Sequence, residues 1–132
     1  MDYCKGRVTK LLVDFFQDDF KRINHALEVL RVSEEIKDEY NNYDEEVVIA
    51  CALLHDVGIK PSEEELGYNN GKTQELYGPA IVKELLESIN FPDDKIQKCM
   101  DIVGNHHSPS RFDYTELTIL KEADREINSL GL

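Results

Sequence analysis

The sequence predicts an all-α fold, a compact bundle of about five to seven helices. Three observations predict it. Apolar residues recur at three- and four-residue spacing in almost every segment. The two-residue alternation of a half-buried strand is nearly absent. One stretch, residues 47–54, is apolar almost all round, as the central buried helix of a bundle must be.

The elements follow in order. Leu11, Leu12, Phe15 and Phe16 share one side of a first helix over residues 8–17. Asp18 or Asp19 can cap a second helix, in which Ile23, Ala26, Leu27, Leu30 and Ile36 fall at helical spacing. That helix fades near Asn41 and Asn42. Asp44 is a good N-cap for the apolar helix over residues 46–55, with acids in its first turn, and Gly58 fits a C-terminal cap. Residues 61–72 read as a loop that admits a short turn at 63–66. A fourth helix begins at Gln74 or Pro79 and runs to Ser88, carrying Ile81, Val82, Leu85 and Leu86. Pro92, Asp93 and Asp94 start a fifth that runs towards Asn105. Residues 106–112 read as a loop, and Leu117, Ile119, Leu120, Ala123 and Ile127 mark a last helix over residues 114–129.

The 132 residues suit one domain, 1–132, and an apolar fraction of 41% suffices for a single core. No apolar run is long enough to span a bilayer, and the N-terminus carries no apolar leader stretch. The expectation is a cytoplasmic protein. Three cysteines with no CxxC pair speak against a disulfide framework or a structural zinc site. Cys51 reads as a small buried hydrophobe. A net charge of −12 argues against nucleic acid as partner, since such binders need a basic face. The same charge means that an enzyme acting on phosphates needs a bound cation and a few local Arg or Lys side chains to reverse the sign at its site. Much of the acid, including Glu63, Glu64 and Glu65, reads as solvated surface.

The histidines carry the chemistry. There are four. His25 lies inside a helix, His55 ends the apolar helix and is joined to Asp56, and His106 and His107 are paired at the end of another helix. Asp124 sits in an otherwise apolar helical frame. A carboxylate at the end of a buried helix must be paired or bound to a metal, and a helix C-terminus favours a cation. Neutral imidazole and carboxylate together suit first-row divalent metals.

In context these residues resemble the HD superfamily, whose signature is H…HD…D. RINHALEVL resembles its first-histidine helix, IACALLHDVG its apolar helix ending in HD, and ILKEADREINSL its final aspartate helix. GPAIVKELL and IVGNHHSPSR resemble the intervening pair. The resemblance spans roughly residues 16–130. It implies a helical bundle and a metal-dependent phosphohydrolase acting on a small phosphate ester or nucleotide. His25, His55, Asp56 and Asp124 would be the ligands of a first divalent metal (Mn, Fe, Co, Ni, Zn or Mg), and His106 and His107 would serve a second. The chain departs from the two-metal pattern at Gln74, where such members carry a further histidine, so one metal is expected to be firm and the second weak or absent. Asp56 and Lys60 are the catalytic candidates, with Arg22 and Arg111 as phosphate-binding candidates. The competing expectation is a regulatory HD module that binds metal or nucleotide with little or no turnover. The expected partner is a small phosphorylated molecule, with no nucleic acid and no membrane; a homodimer is expected on base rates alone.

Overall fold

The computed structural model describes residues 1–131. It is all-helical, with seven α-helices and one 3₁₀ turn and no strand among the described residues. In chain order these are α1 (Cys4–Phe16), α2 (Phe20–Ile36), the 3₁₀ turn (Lys37–Glu39), α3 (Glu45–Leu54), α4 (Ile59–Leu66), α5 (Gly71–Glu87), α6 (Asp93–Val103) and α7 (Thr115–Ser129). No described helix is long and apolar enough to cross a membrane.

Helix α3 is the axis of the bundle. All eight residues 47–54 are buried, because α1, α2, α6 and α7 pack against it from different sides. Asp44 starts it as anticipated, its carboxylate accepting from the backbone N–H groups of Glu46 and Val47. The Asp44 N–H is itself held by Glu116 of α7, a buried carboxylate that also takes Lys98 of α6. Asp19 caps α2, which packs along α7.

Three local expectations are corrected. Residues 61–72 are not a loop throughout: α4 occupies the first half of them and α5 begins at Gly71. Pro61 reads as a breaker, yet it sits in the first turn of α4, where its missing N–H leaves no bond unmade. Gly67, at φ 78°, ends that helix in the left-handed region. The next helix starts at Gly71, before either predicted residue, because Asn70 and Thr73 cap it reciprocally; Pro79 lies inside it.

Gly58 is not a left-handed cap either. Its φ is −66°, open to any residue. The glycine is needed for close approach: a Cβ there would lie 2.5 Å from the Gln74 carbonyl oxygen and 2.8 Å from the Gly78 nitrogen, both α5 backbone. Gly58→Ala therefore has to push α5 away from the corner that follows His55 and Asp56. We expect a loss of about 1–3 kcal/mol, the usual cost of overpacking, read by denaturant unfolding. A change within error would show that α5 yields freely.

Candidate metal centre

The site lies where three elements meet: the middle of α2, the turn after α3, and α7. Helix α2 presents His25, the end of α3 presents His55 and Asp56, and α7 presents Asp124. His25 and Asp124 are 99 positions apart in sequence, yet His25 Nε2 lies 3.0 Å from Asp124 Oδ1. It lies 3.4 Å from Asp56 Oδ2. His55 Nε2 lies 3.3 Å from Asp56 Oδ2 and 3.4 Å from Asp124 Oδ1.

Those separations have a simple reading. Ligand atoms about 2.1 Å from one ion, at angles of about 90–109° to each other, stand about 3.0–3.4 Å apart. The four imidazole-to-carboxylate separations fall in that interval. The second-shell bonds agree. His55 Nδ1 donates to the Ala52 carbonyl at 2.8 Å and His106 Nδ1 to the Val103 carbonyl at 2.7 Å. Each ring is thereby fixed with Nε2 facing inward, the orientation of a metal-bound imidazole. Both Nε2 atoms are buried without a hydrogen-bond partner. Two orphaned imidazole nitrogens beside buried carboxylates form a donor set that fits a divalent cation.

Asp56 faces two groups at once. Its Oδ2 belongs with His25 and His55, while its Oδ1 lies 3.6 Å from His106 Nε2. Ligand atoms of Asp56, His106 and His107 form a second group within 4.8 Å of one another. Charge follows the same logic. Burial alone would raise the Asp56 and Asp124 carboxyls, but the histidines around them outweigh it and hold both well below the usual range. Burial alone would lower His55, yet Asp56 and Asp124 hold it well above its ordinary value. The cluster as a whole calls for positive charge. His107 goes the other way, lowered by burial and by His106 beside it.

A cavity of about 360 Å³ opens over His25 and Asp56, lined also by Lys21, Arg22, Ile59, Asn128 and Gly131. Arg22 is therefore at the site, paired to Glu63 of α4 at 2.9 Å and to Asp19 at 3.2 Å. Sequence reasoning passed over Lys21, whose one signal was its place beside Arg22. Lys60 is placed elsewhere. Its ammonium donates to the Phe15 carbonyl at 2.9 Å and lies over the Phe15 ring, tying α4 to the end of α1. Arg111 pins its own loop, donating to the Ser108 hydroxyl and the Gly104 carbonyl.

Glu75 was also missed. Its carboxylate accepts the N–H groups of His107 and Ser108 and the Ser108 hydroxyl, clamping the histidine loop onto α5. Burial would raise this carboxyl, but these donors outweigh it and hold it low. No local pattern marks it, since its partners lie more than thirty residues away.

Comparison with known proteins bears on the family and the fold. The family model for the HD domain matches residues 22–129. An uncharacterized protein of Clostridium beijerinckii is 25% identical over 96 residues, covering 72% of this chain and 58% of that protein. The crystal structure of a predicted HD superfamily hydrolase from an uncultured Thermotogales bacterium superposes with a TM-score of 0.68 at 25% identity. That match covers 89% of this chain and 64% of the other. The chain thus spans about three fifths of the length of the relatives it matches.

Proposed function

Since the chain belongs to the HD domain family, we propose that it is a metal-dependent phosphohydrolase acting on a small phosphate ester or nucleotide. The observation that carries this reading is that both His25 and His55 stand 3.0–3.4 Å from carboxylate oxygens of both Asp56 and Asp124. These four residues would hold the first divalent cation, and Asp56 with His106 a weaker second. When bound, such an ion supplies Lewis acidity and brings the pKa of water down to about 7.

The chain supplies the rest. Lys21 gives the cavity a cationic side chain in a protein of net charge −12, while the Arg22 guanidinium there is already shared between Glu63 and Asp19, so Lys21 is the group that offers a phosphoryl oxygen local complementarity. The carboxylate oxygens of Asp56 and Asp124 are the acceptors that orient the attacking water. The net reaction adds water across a P–O bond: its oxygen joins phosphorus and its hydrogen goes to the leaving oxygen. A cavity of about 360 Å³ suits a small molecule, at the lower end of ligand pockets. Lys60 we assign to holding α4 on α1. A cytoplasmic setting belongs to the same reading.

The test is hydrolysis of a chromogenic phosphate ester and a panel of nucleotides with Mn²⁺, Mg²⁺, Co²⁺, Ni²⁺, Zn²⁺ or Fe²⁺. Release with at least one ion, abolished by chelation, is expected. Nucleotide binding without release under every ion would instead favour a regulatory module.

A further inference from the structure

A run of side-chain hydrogen bonds leads from the cavity wall to the histidine loop. Arg22 donates to both oxygens of Glu63, at 2.9 and 3.1 Å. Asn69 Nδ2 donates to Glu63 Oε2 at 2.8 Å. Gln74 Nε2 donates to Asn69 Oδ1 at 2.9 Å. Gln74 Oε1 lies 2.6 Å from His107 Nε2.

The polarity of this run is forced from one end. Glu63, ionised beside Arg22, can only accept. The Asn69 atom facing it must therefore be the amide nitrogen, which turns Asn69 Oδ1 towards Gln74. An oxygen there requires the Gln74 nitrogen opposite, which turns Gln74 Oε1 towards His107. Facing an acceptor, His107 Nε2 must carry a hydrogen, whatever the charge of the ring. The other ring nitrogen lies close to α5 at Gly71: a Cβ on Gly71 would sit 2.9 Å from His107 Cβ and 3.5 Å from Nδ1.

We propose that Glu63, Asn69 and Gln74 are positioning residues that fix His107 as an Nε2–H donor and so withhold its Nε2 from a second cation beside Asp56 and His106. His107 shares a ligand group with those two residues, yet the nitrogen next to Gln74 has no lone pair to give while the run is intact. His106 is set the opposite way, with Nδ1 as the donor and Nε2 bare. Adjacent histidines thus hold opposite tautomers: His106 turns an unpartnered Nε2 to the site, whereas His107 keeps its lone pair on Nδ1, on the side of Gly71.

The inference rests on the metal reading, but its first test does not. In metal-free protein, long-range ¹H–¹⁵N correlation should show His107 protonated at Nε2. An Nδ1–H ring would overturn the proposal. Asn69→Ala removes the constraint on Gln74 and should mix the two tautomers. Glu63→Gln can donate as well as accept, so it frees Asn69 to turn over and should mix them likewise; a purely structural role would leave the tautomer of both variants unchanged. Titration with Mn²⁺ alone, followed calorimetrically, gives the second test. Gln74→Leu should bind its second equivalent roughly tenfold more tightly than the parent, the worth of one released hydrogen bond. A second equivalent that is weaker or unchanged would make Gln74 a ligand or a bystander and overturn the proposal. Loss of the first equivalent in the parent would speak against the metal reading itself.

Discussion

Asp56→Asn is expected to strip the protein of its first metal and lower kcat/KM by a thousandfold or more, while leaving the fold intact. The substitution keeps the shape of the side chain and removes its charge. Asp56 is the residue whose two oxygens reach both groups, Oδ2 with His25 and His55 and Oδ1 towards His106. No other residue in the cluster can replace it. A thousandfold is about 4 kcal/mol at 1.36 kcal/mol per decade, within what a Lewis-acid centre contributes. The fold should survive because the amide fills the same space and Asp124 still faces His25 and His55, although losing a charge that the histidines favour costs some stability. Elemental analysis, turnover of a chromogenic ester and circular dichroism read the three outcomes separately. A variant that retained full metal would detach Asp56 from the centre.

The second large effect is thermal. A divalent ion at about a hundred times its dissociation constant should stabilise the native state by about 2.7 kcal/mol, provided the unfolded chain binds it poorly. For a chain of this length that raises Tm by about 10 °C. The gain is expected because the ligands come from α2, the end of α3 and α7, so no short peptide of the unfolded chain presents them together. Scanning calorimetry with and without the ion, then with chelator, measures it. A Tm unmoved by every divalent ion tried would remove the metal centre from the account.

Much of this was readable from residue order. Eight consecutive apolar residues ahead of His55 left little choice but a central helix, and they are all buried. His25, His55, Asp56 and Asp124 could be named together because their order and sequence context resemble the H…HD…D signature. What escaped notice depends on partners distant in sequence. Gly58 follows a helix and so reads as a cap, but its reason is the α5 backbone sixteen to twenty residues on. Lys60 is close to Asp56 in sequence, yet the direction of α4 carries it to the Phe15 carbonyl. Pro61 hid a helix because a proline in a first turn looks like a proline in a loop. Gln74 was visible as the residue in a histidine's place; what it does to His107 depends on Asn69 and Glu63, which no local pattern connects to it.

The cysteines make the molecule its own reporter. Cys51 sits one helical turn before His55, and both it and Cys99 are shut inside the core. A thiol reagent can reach Cys51 only when the axial helix leaves its neighbours. Any ion that holds His55 and Asp56 in place must slow that excursion, so the rate of thiol labelling becomes a clock for metal occupancy, readable without knowing the substrate.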